Sequence, residues 1–236
     1  MDISSIKLFT THEHPCSYLE GEAATTVFVD PNLDVNPRIY SELSDFGFRR
    51  SGRHLYRPHC QECHACIPVR LPVSNFKATR SQKRCLKRNS DVYSKVTSDI
   101  DTDEHYGLYK TYIEQRHFDG DMYPPSRTQY REFLSAEWGV TQYIELRTKT
   151  DGLLIALAVC DKLDQGLSAI YTFFDPNQSH RSLGVLAVLR QIELAQQLRL
   201  PYVYLGYWIR RCQKMSYKTQ YRPLELFINH QWVRLE

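Results

Sequence analysis

Cys60, Cys63 and Cys66 form a CxxCxxC run bounded by Pro58 and Pro68. In a loop, that spacing lets three thiolates converge on one metal ion or cluster. Three ligands leave such a site incomplete. A fourth would come from Cys16, in the distant segment Pro15-Cys16-Ser17-Tyr18-Leu19, or from His59 or His64 beside the run. The other reading is a set of reduced cysteines packed as small hydrophobes. The run therefore offers either zinc or an iron–sulfur cluster, or plain packing.

These cysteines lie in the most basic part of the chain. Between Arg49 and Arg88 there are eleven Lys and Arg against the single acid Glu62, a balance of +10; the chain total is +3, so the remainder sums to about −7. Such asymmetry points to a polyanion partner, with a solvated basic face as the alternative. Tyr56, His59, His64 and Phe76 are interleaved with the cations. That mixture suits single-stranded RNA ends, whose unpaired bases stack while their phosphates pair. Lys83, Arg84, Lys87 and Arg88 are the cations expected to set the salt dependence of RNA binding.

Four groups of residues carry a likeness to a known family: Cys16-Ser17-Tyr18-Leu19; Arg57-Pro58-His59-Cys60 with Cys66-Ile67-Pro68-Val69-Arg70; Ser81-Gln82-Lys83-Arg84; and Tyr204-Leu205-Gly206-Tyr207-Trp208 with Met215-Ser216-Tyr217-Lys218. With these the chain closely resembles the bacterial aspartate/glutamate leucyltransferases, relatives of the arginyl-tRNA protein transferases. Leu19 stands where the eukaryotic relatives carry a second cysteine. The resemblance implies an aminoacyltransferase that moves leucine from leucyl-tRNA to an N-terminal Asp or Glu, marking the acceptor protein for the N-end rule pathway. No cofactor is then required beyond the charged tRNA, and no membrane is involved.

The elements that must position these residues divide by texture, and the expected border separates 1–98 from 99–236. The first region reads as short strands, Ala23 to Val29 and Val69 to Leu71, set among prolines and basic loops, with a short helix from Ile39 to Asp45 after Pro37. From Asp101 the pattern becomes regular. Asp101 or Thr102 caps a helix running to about His117, and a second covers Arg127 to Ala136. Gln142 to Arg147, Leu153 to Cys160 and Leu167 to Phe174 are strands with short connections, hence antiparallel neighbours. Ser182 to Leu198 is apolar at helical spacing, Pro201 stops it, and Tyr202 to Gly206 is a strand. No run has membrane length, Met1 to His14 lacks the pattern of a signal peptide, and an odd count of seven cysteines argues against a disulfide framework. A cytoplasmic protein with reduced thiols is expected.

That order resembles the GNAT-like acyltransferase fold, whose best-known members use acetyl-coenzyme A. An α+β protein is expected, with this fold in the C-terminal half and a smaller basic, cysteine-containing region before it. Arg181-Ser182-Leu183-Gly184-Val185-Leu186 occupies the place of the pyrophosphate loop, where helix N–H groups meet an anion. Leu186 replaces a small residue and is expected to crowd coenzyme A. Arg181 and Gly184 are instead assigned to a phosphate near the 3′ end of tRNA, Gly184 serving equally well for helix–sheet packing.

The implied chemistry is aminolysis of an ester by an α-amine whose pKa lies at about 7.7 to 8.0, so orientation and a modest base suffice. Asp175, with Tyr171 alongside, is the candidate base; Asp175-Pro176-Asn177 also reads as an ordinary turn. Arg70, Arg84, Lys218 and Arg222 are candidates for holding the acceptor carboxylate. Tyr204, Tyr207 and Trp208 are candidate walls for the leucyl side chain, or core. A coenzyme A-dependent acyltransferase explains only the C-terminal half, and a non-catalytic metal-dependent RNA-binding module only the N-terminal half.

Overall fold

In the computed structural model, which describes residues 5–236, the N-terminal region consists of short strands and two capped helices. Strands β1 (Leu8–Thr10), β2 (His14–Pro15), β3 (Ala23–Ala24) and β4 (Thr26–Val29) lead to α1 (Pro37–Asp45). β5 (Arg49–Ser51) and β6 (His54–Pro58) pair before β7 (Ile67–Pro72), α2 (Arg80–Arg88) and β8 (Val92–Thr97). Then come α3 (Asp103–Arg116), α4 (Arg127–Leu134), β9 (Thr141–Thr148), β10 (Leu154–Leu163) and β11 (Gly166–Phe174). Helix α5 (Leu183–Gln197), β12 (Tyr202–Trp208) and the hairpin of β13 (Leu224–Ile228) and β14 (Gln231–Leu235) complete the chain.

Helix starts follow their caps. Asn36 accepts from the Ile39 N–H with Pro37 in the first turn of α1, and Thr102 accepts from the His105 N–H at the start of α3. The stretch expected as a basic loop after Val73 contains α2. It opens with a capping box: Gln82 N–H donates to Thr79 Oγ1 and Thr79 N–H donates to Gln82 Oε1.

The eight-stranded sheet runs β14-β13-β7-β12-β11-β10-β9-β8. Its meander is antiparallel, and α5 carries the chain across to β12, which lies parallel to β11. Strand β7 inserts between β12 and β13, antiparallel to both, so strands from either side of residue 98 share one sheet. β1, β4, β6 and β5 make a second sheet, and β2 pairs with β3.

Alternation along β10 sends its side chains to two cores. Ala156 and Ala158 face Leu186, Leu189 and Ile192 of α5, while Leu157 and Val159 face Tyr109, Ile113 and Leu134 of α3 and α4. Arg50 fastens the layers. Its fully buried guanidinium donates to Asp161 at 2.9 Å and to the carbonyls of Phe133, Leu134 and Ser135, each at 3.2 Å, neutralising the end of α4. Among the described residues no helix is long and apolar enough to cross a membrane.

Candidate functional site

β11 and β12 are in register only at Gly166–Tyr202, Leu167–Val203 and Ser168–Tyr204. Beyond Ser168 they part, and a cleft of about 490 Å³ opens between them. Arg49 sits at its apex: Nη1 donates to Ser168 Oγ at 2.6 Å and Nη2 donates to the Ala169 carbonyl. The guanidinium lies against Gly206, where an added Cβ would come within 3.5 Å of it. Gly206 has φ +77°, at the point where the register of β12 against β7 shifts. A β-carbon would be strained there by the backbone conformation, while its contact with the guanidinium would be an ordinary one.

Lys218 belongs to the 3₁₀ segment Gln213–Gln220 that follows β12, and it is 7% exposed. Its Nζ donates to the Tyr207 carbonyl. Burial, reinforced by Arg49, brings its pKa from 10.5 down to about 7. Among the described residues, Arg49 and Lys218 are the cations of the lining, which contains no carboxylate and no imidazole. Val185 and Val188 of α5 and Leu205 of β12 give it an apolar side. Tyr171, Tyr207 and Tyr217 also line it, and burial raises the pKa of each hydroxyl, so they remain protonated donors at neutral pH.

Of the residues expected from sequence, Tyr171, Gly184, Tyr207 and Lys218 meet in this cleft. Asp175 stays outside. Its Oδ1 accepts from the Asn177 N–H at 2.9 Å and from the Asn177 amide at 3.1 Å, and its Oδ2 accepts from Gln178 at 3.2 Å, so the turn uses both oxygens. Arg181 lies outside the cleft, its guanidinium held by Asp91 at 2.9 and 2.8 Å and by Gln178 at 2.7 Å. Arg70 donates to Glu225 at 2.7 Å and Asp45 at 3.2 Å, between the rings of Tyr202 and Trp232 at 3.6 and 4.2 Å. Both its carboxylate partners are already supplied by the chain, so no acceptor carboxylate is held there.

Tyr204 joins the same knot by donating to Asp45, and Trp208 packs against the main core. Arg222 is half-buried outside the cleft, its Nη1 without a hydrogen-bond partner among the described residues. Lys83, Arg84, Lys87 and Arg88 are exposed on α2, and Arg88 donates to the His180 carbonyl just ahead of α5. Leu186 is wholly buried in the core, so it does not crowd the helix start as expected. That start has Ser182 in left-handed backbone (φ 56°, ψ 49°) and no side-chain cap.

Cys16, Cys63 and Cys66 pack with Leu19, Ile209 and Cys212. Burial first, then Cys60, Cys16, Cys63 and Cys212, push the Cys66 thiol up to about 12. The sulfurs gather, yet among the described residues no three His, Cys, Asp or Glu side chains stand as a metal ligand set. No chemical step is therefore routed through a metal. Cys212 was not anticipated from the CxxCxxC spacing. Nor were Arg49, one of eleven cations in its window, and Gln191, a polar residue on the apolar stripe of α5 between Val188 and Ile192.

A meander, a crossover helix and a parallel strand that splays to leave a cleft define an α+β fold with a candidate site between β11 and β12. The family models described as "Arginine-tRNA-protein transferase, N terminus" and "C terminus" match residues 14–84 and 104–228, and the chain belongs to that family. It is 60% identical over 232 residues, 98% of each chain, to an aspartate/glutamate leucyltransferase of Saccharophagus degradans. It is 54% identical to one of Teredinibacter turnerae, covering 99% of this chain and 96% of the other. A third, from Pseudomonas fluorescens, is 52% identical over 99% of both. Among solved structures, L-PGS from Bacillus licheniformis aligns with a TM-score of 0.45 and 10% identity over 72% of this chain. The alignment spans about half of that longer protein, 51%, and nothing further is drawn from it.

Proposed function

We propose that this chain transfers leucine from leucyl-tRNA to the N-terminal Asp or Glu of a protein, the step that marks the acceptor for the N-end rule pathway. The observation that carries the reading is a cleft with Arg49 at its apex and, among the described residues, no acid in its lining. An acceptor carboxylate entering it finds a partner, whereas an unpaired one would cost far more than apolar contacts return. Charge-assisted bonds contribute about 1.5 to 3 kcal/mol each. An N-terminal Lys or Arg would bring its positive charge against that of Arg49. Full-length likeness to curated aspartate/glutamate leucyltransferases supports the same substrates.

In this reading Arg49 faces the acceptor side chain, and the flexible span between cation and amine tolerates the one-methylene difference between Asp and Glu. Lys218, with a pKa of about 7, takes a proton from the acceptor α-ammonium. The freed amine attacks the leucyl ester carbonyl, a peptide bond replaces the ester, and the terminal ribose oxygen of tRNA leaves with one proton. Val185, Val188 and Leu205 receive the leucyl side chain. The exposed cations of α2 and the uncapped start of α5 take phosphates of the acceptor stem.

The test is reversal of the apex charge. Arg49→Glu should lower transfer to Asp- and Glu-peptides on the order of 100-fold while leaving the Kd for tRNA unchanged, and Arg49→Met, which removes the charge without reversing it, should also lose the acidic preference. Unaltered preference for acidic peptides in both folded variants would remove Arg49 from the acceptor site.

A further inference from the structure

Gln191 lies two turns into α5, on the face that Val185 and Val188 present to the cleft, and is 1% exposed. Its side-chain Nε2 donates to the Ala187 carbonyl at 3.3 Å, and its Oε1 is buried with no hydrogen-bond partner among the described residues. The orientation of the amide is fixed by chemistry. Only the NH2 end can face a carbonyl, so the oxygen is the end left over. A buried acceptor with nothing to accept is destabilising, and native interiors leave few of them.

The other polar groups named in the cleft can all donate, and the one lone pair this reading uses among them, that of unprotonated Lys218, is taken by the ammonium of the acceptor peptide. Arg49 and Lys218 carry N–H groups, and the buried tyrosines keep their hydroxyl protons. Gln191 is thus an acceptor placed among the apolar residues that suit a leucyl side chain. One bond from that side chain's Cα is the free α-amino group of the donor. The acceptor peptide's amine, by contrast, is tied to a carboxylate drawn toward Arg49. Resting on the leucyl-transfer reading, we propose that Gln191 Oε1 accepts a hydrogen bond from the α-amino group of the aminoacyl donor. It makes that amine a requirement for entry and orients the ester toward the attacking nucleophile.

The experiment compares leucyl-tRNA with tRNA carrying 4-methylpentanoate, which keeps the side chain and ester and lacks the amine. Kd by fluorescence polarisation and kcat/KM on an Asp-peptide are both measured. Wild type should favour leucyl-tRNA by about tenfold or more, in line with a site left with an unpaired polar group when its partner is missing. Gln191→Leu should lose that factor with leucyl-tRNA, leave the desamino donor unchanged, and bring the preference near one. Gln191→Glu, which restores an acceptor of the same size, should keep the preference and serves if the leucine variant fails to fold. Equal losses for both donors in Gln191→Leu, or loss of preference in Gln191→Glu, overturn the proposal. So does a defect confined to KM for the peptide, which would assign the amide to the acceptor. Wild type that binds leucyl-tRNA with amine preference but transfers nothing would defeat the leucyl-transfer reading instead.

Discussion

Lys218 is 7% exposed beside Tyr207 and Arg49, and with its pKa lowered from 10.5 to about 7 its amine is roughly half unprotonated near neutrality. Lysine became the candidate base because the carboxylate favoured from sequence, Asp175, is used by its own turn. The two readings of Asp-Pro-Asn were both legible in the sequence, and only the partners of the oxygens separate them. The lowered pKa also has a stability consequence. Between pH 7 and 10.5 the unfolded chain holds a proton on Lys218 that the folded chain lacks, so wild type gains stability relative to Lys218→Met as pH rises through that window. Thermal unfolding of the pair from pH 6 to pH 10 should show this divergence, and transfer by the variant should fall by about 10²- to 10⁴-fold. Parallel unfolding curves with full activity would dismiss the buried amine as a base.

At the scale of elements, α2 turns a diffuse charge count into a surface. Its capping box, Thr79 with Gln82, was present in the sequence but hidden by the absence of an apolar stripe, since only Gln82 and Cys85 of the helix are buried. α3, α5 and the meander were legible because their apolar periods run for several turns or strands. The insertion of β7 between β12 and β13 was not, because pairing partners distant in sequence leave no local signal. If α2 is the tRNA track, replacing Lys83, Arg84, Lys87 and Arg88 by Ala should flatten the dependence of log Kd on log salt by up to about 0.7 to 0.9 per lost phosphate contact. A slope equal to wild type would move the tRNA to another face.

Across the whole molecule, one sheet unites the basic region and the acyltransferase region. β7 supplies a neighbour to β12, Arg49 and Arg50 cross from β5 to Ser168 and Asp161, and Tyr207 donates to the Gly47 carbonyl at 2.7 Å. The cleft is therefore a joint product of two stretches that the change of sequence pattern had separated near residue 98. The apex cation comes from the first stretch, and the strands that splay around it come from the second. This joint origin also explains why sequence reasoning found half the site: Lys218, Tyr171, Tyr207 and Gly184 lie in patterned segments, whereas Arg49 is distinguished only by what folds over it. The most direct measurement is transfer by the purified protein from labelled Leu-, Arg- and Phe-tRNA to peptides beginning Asp, Glu, Lys and Arg. Label should pass from Leu-tRNA to the Asp- and Glu-peptides alone. Preferred transfer to the Lys- or Arg-peptides, or none from Leu-tRNA, would contradict the account.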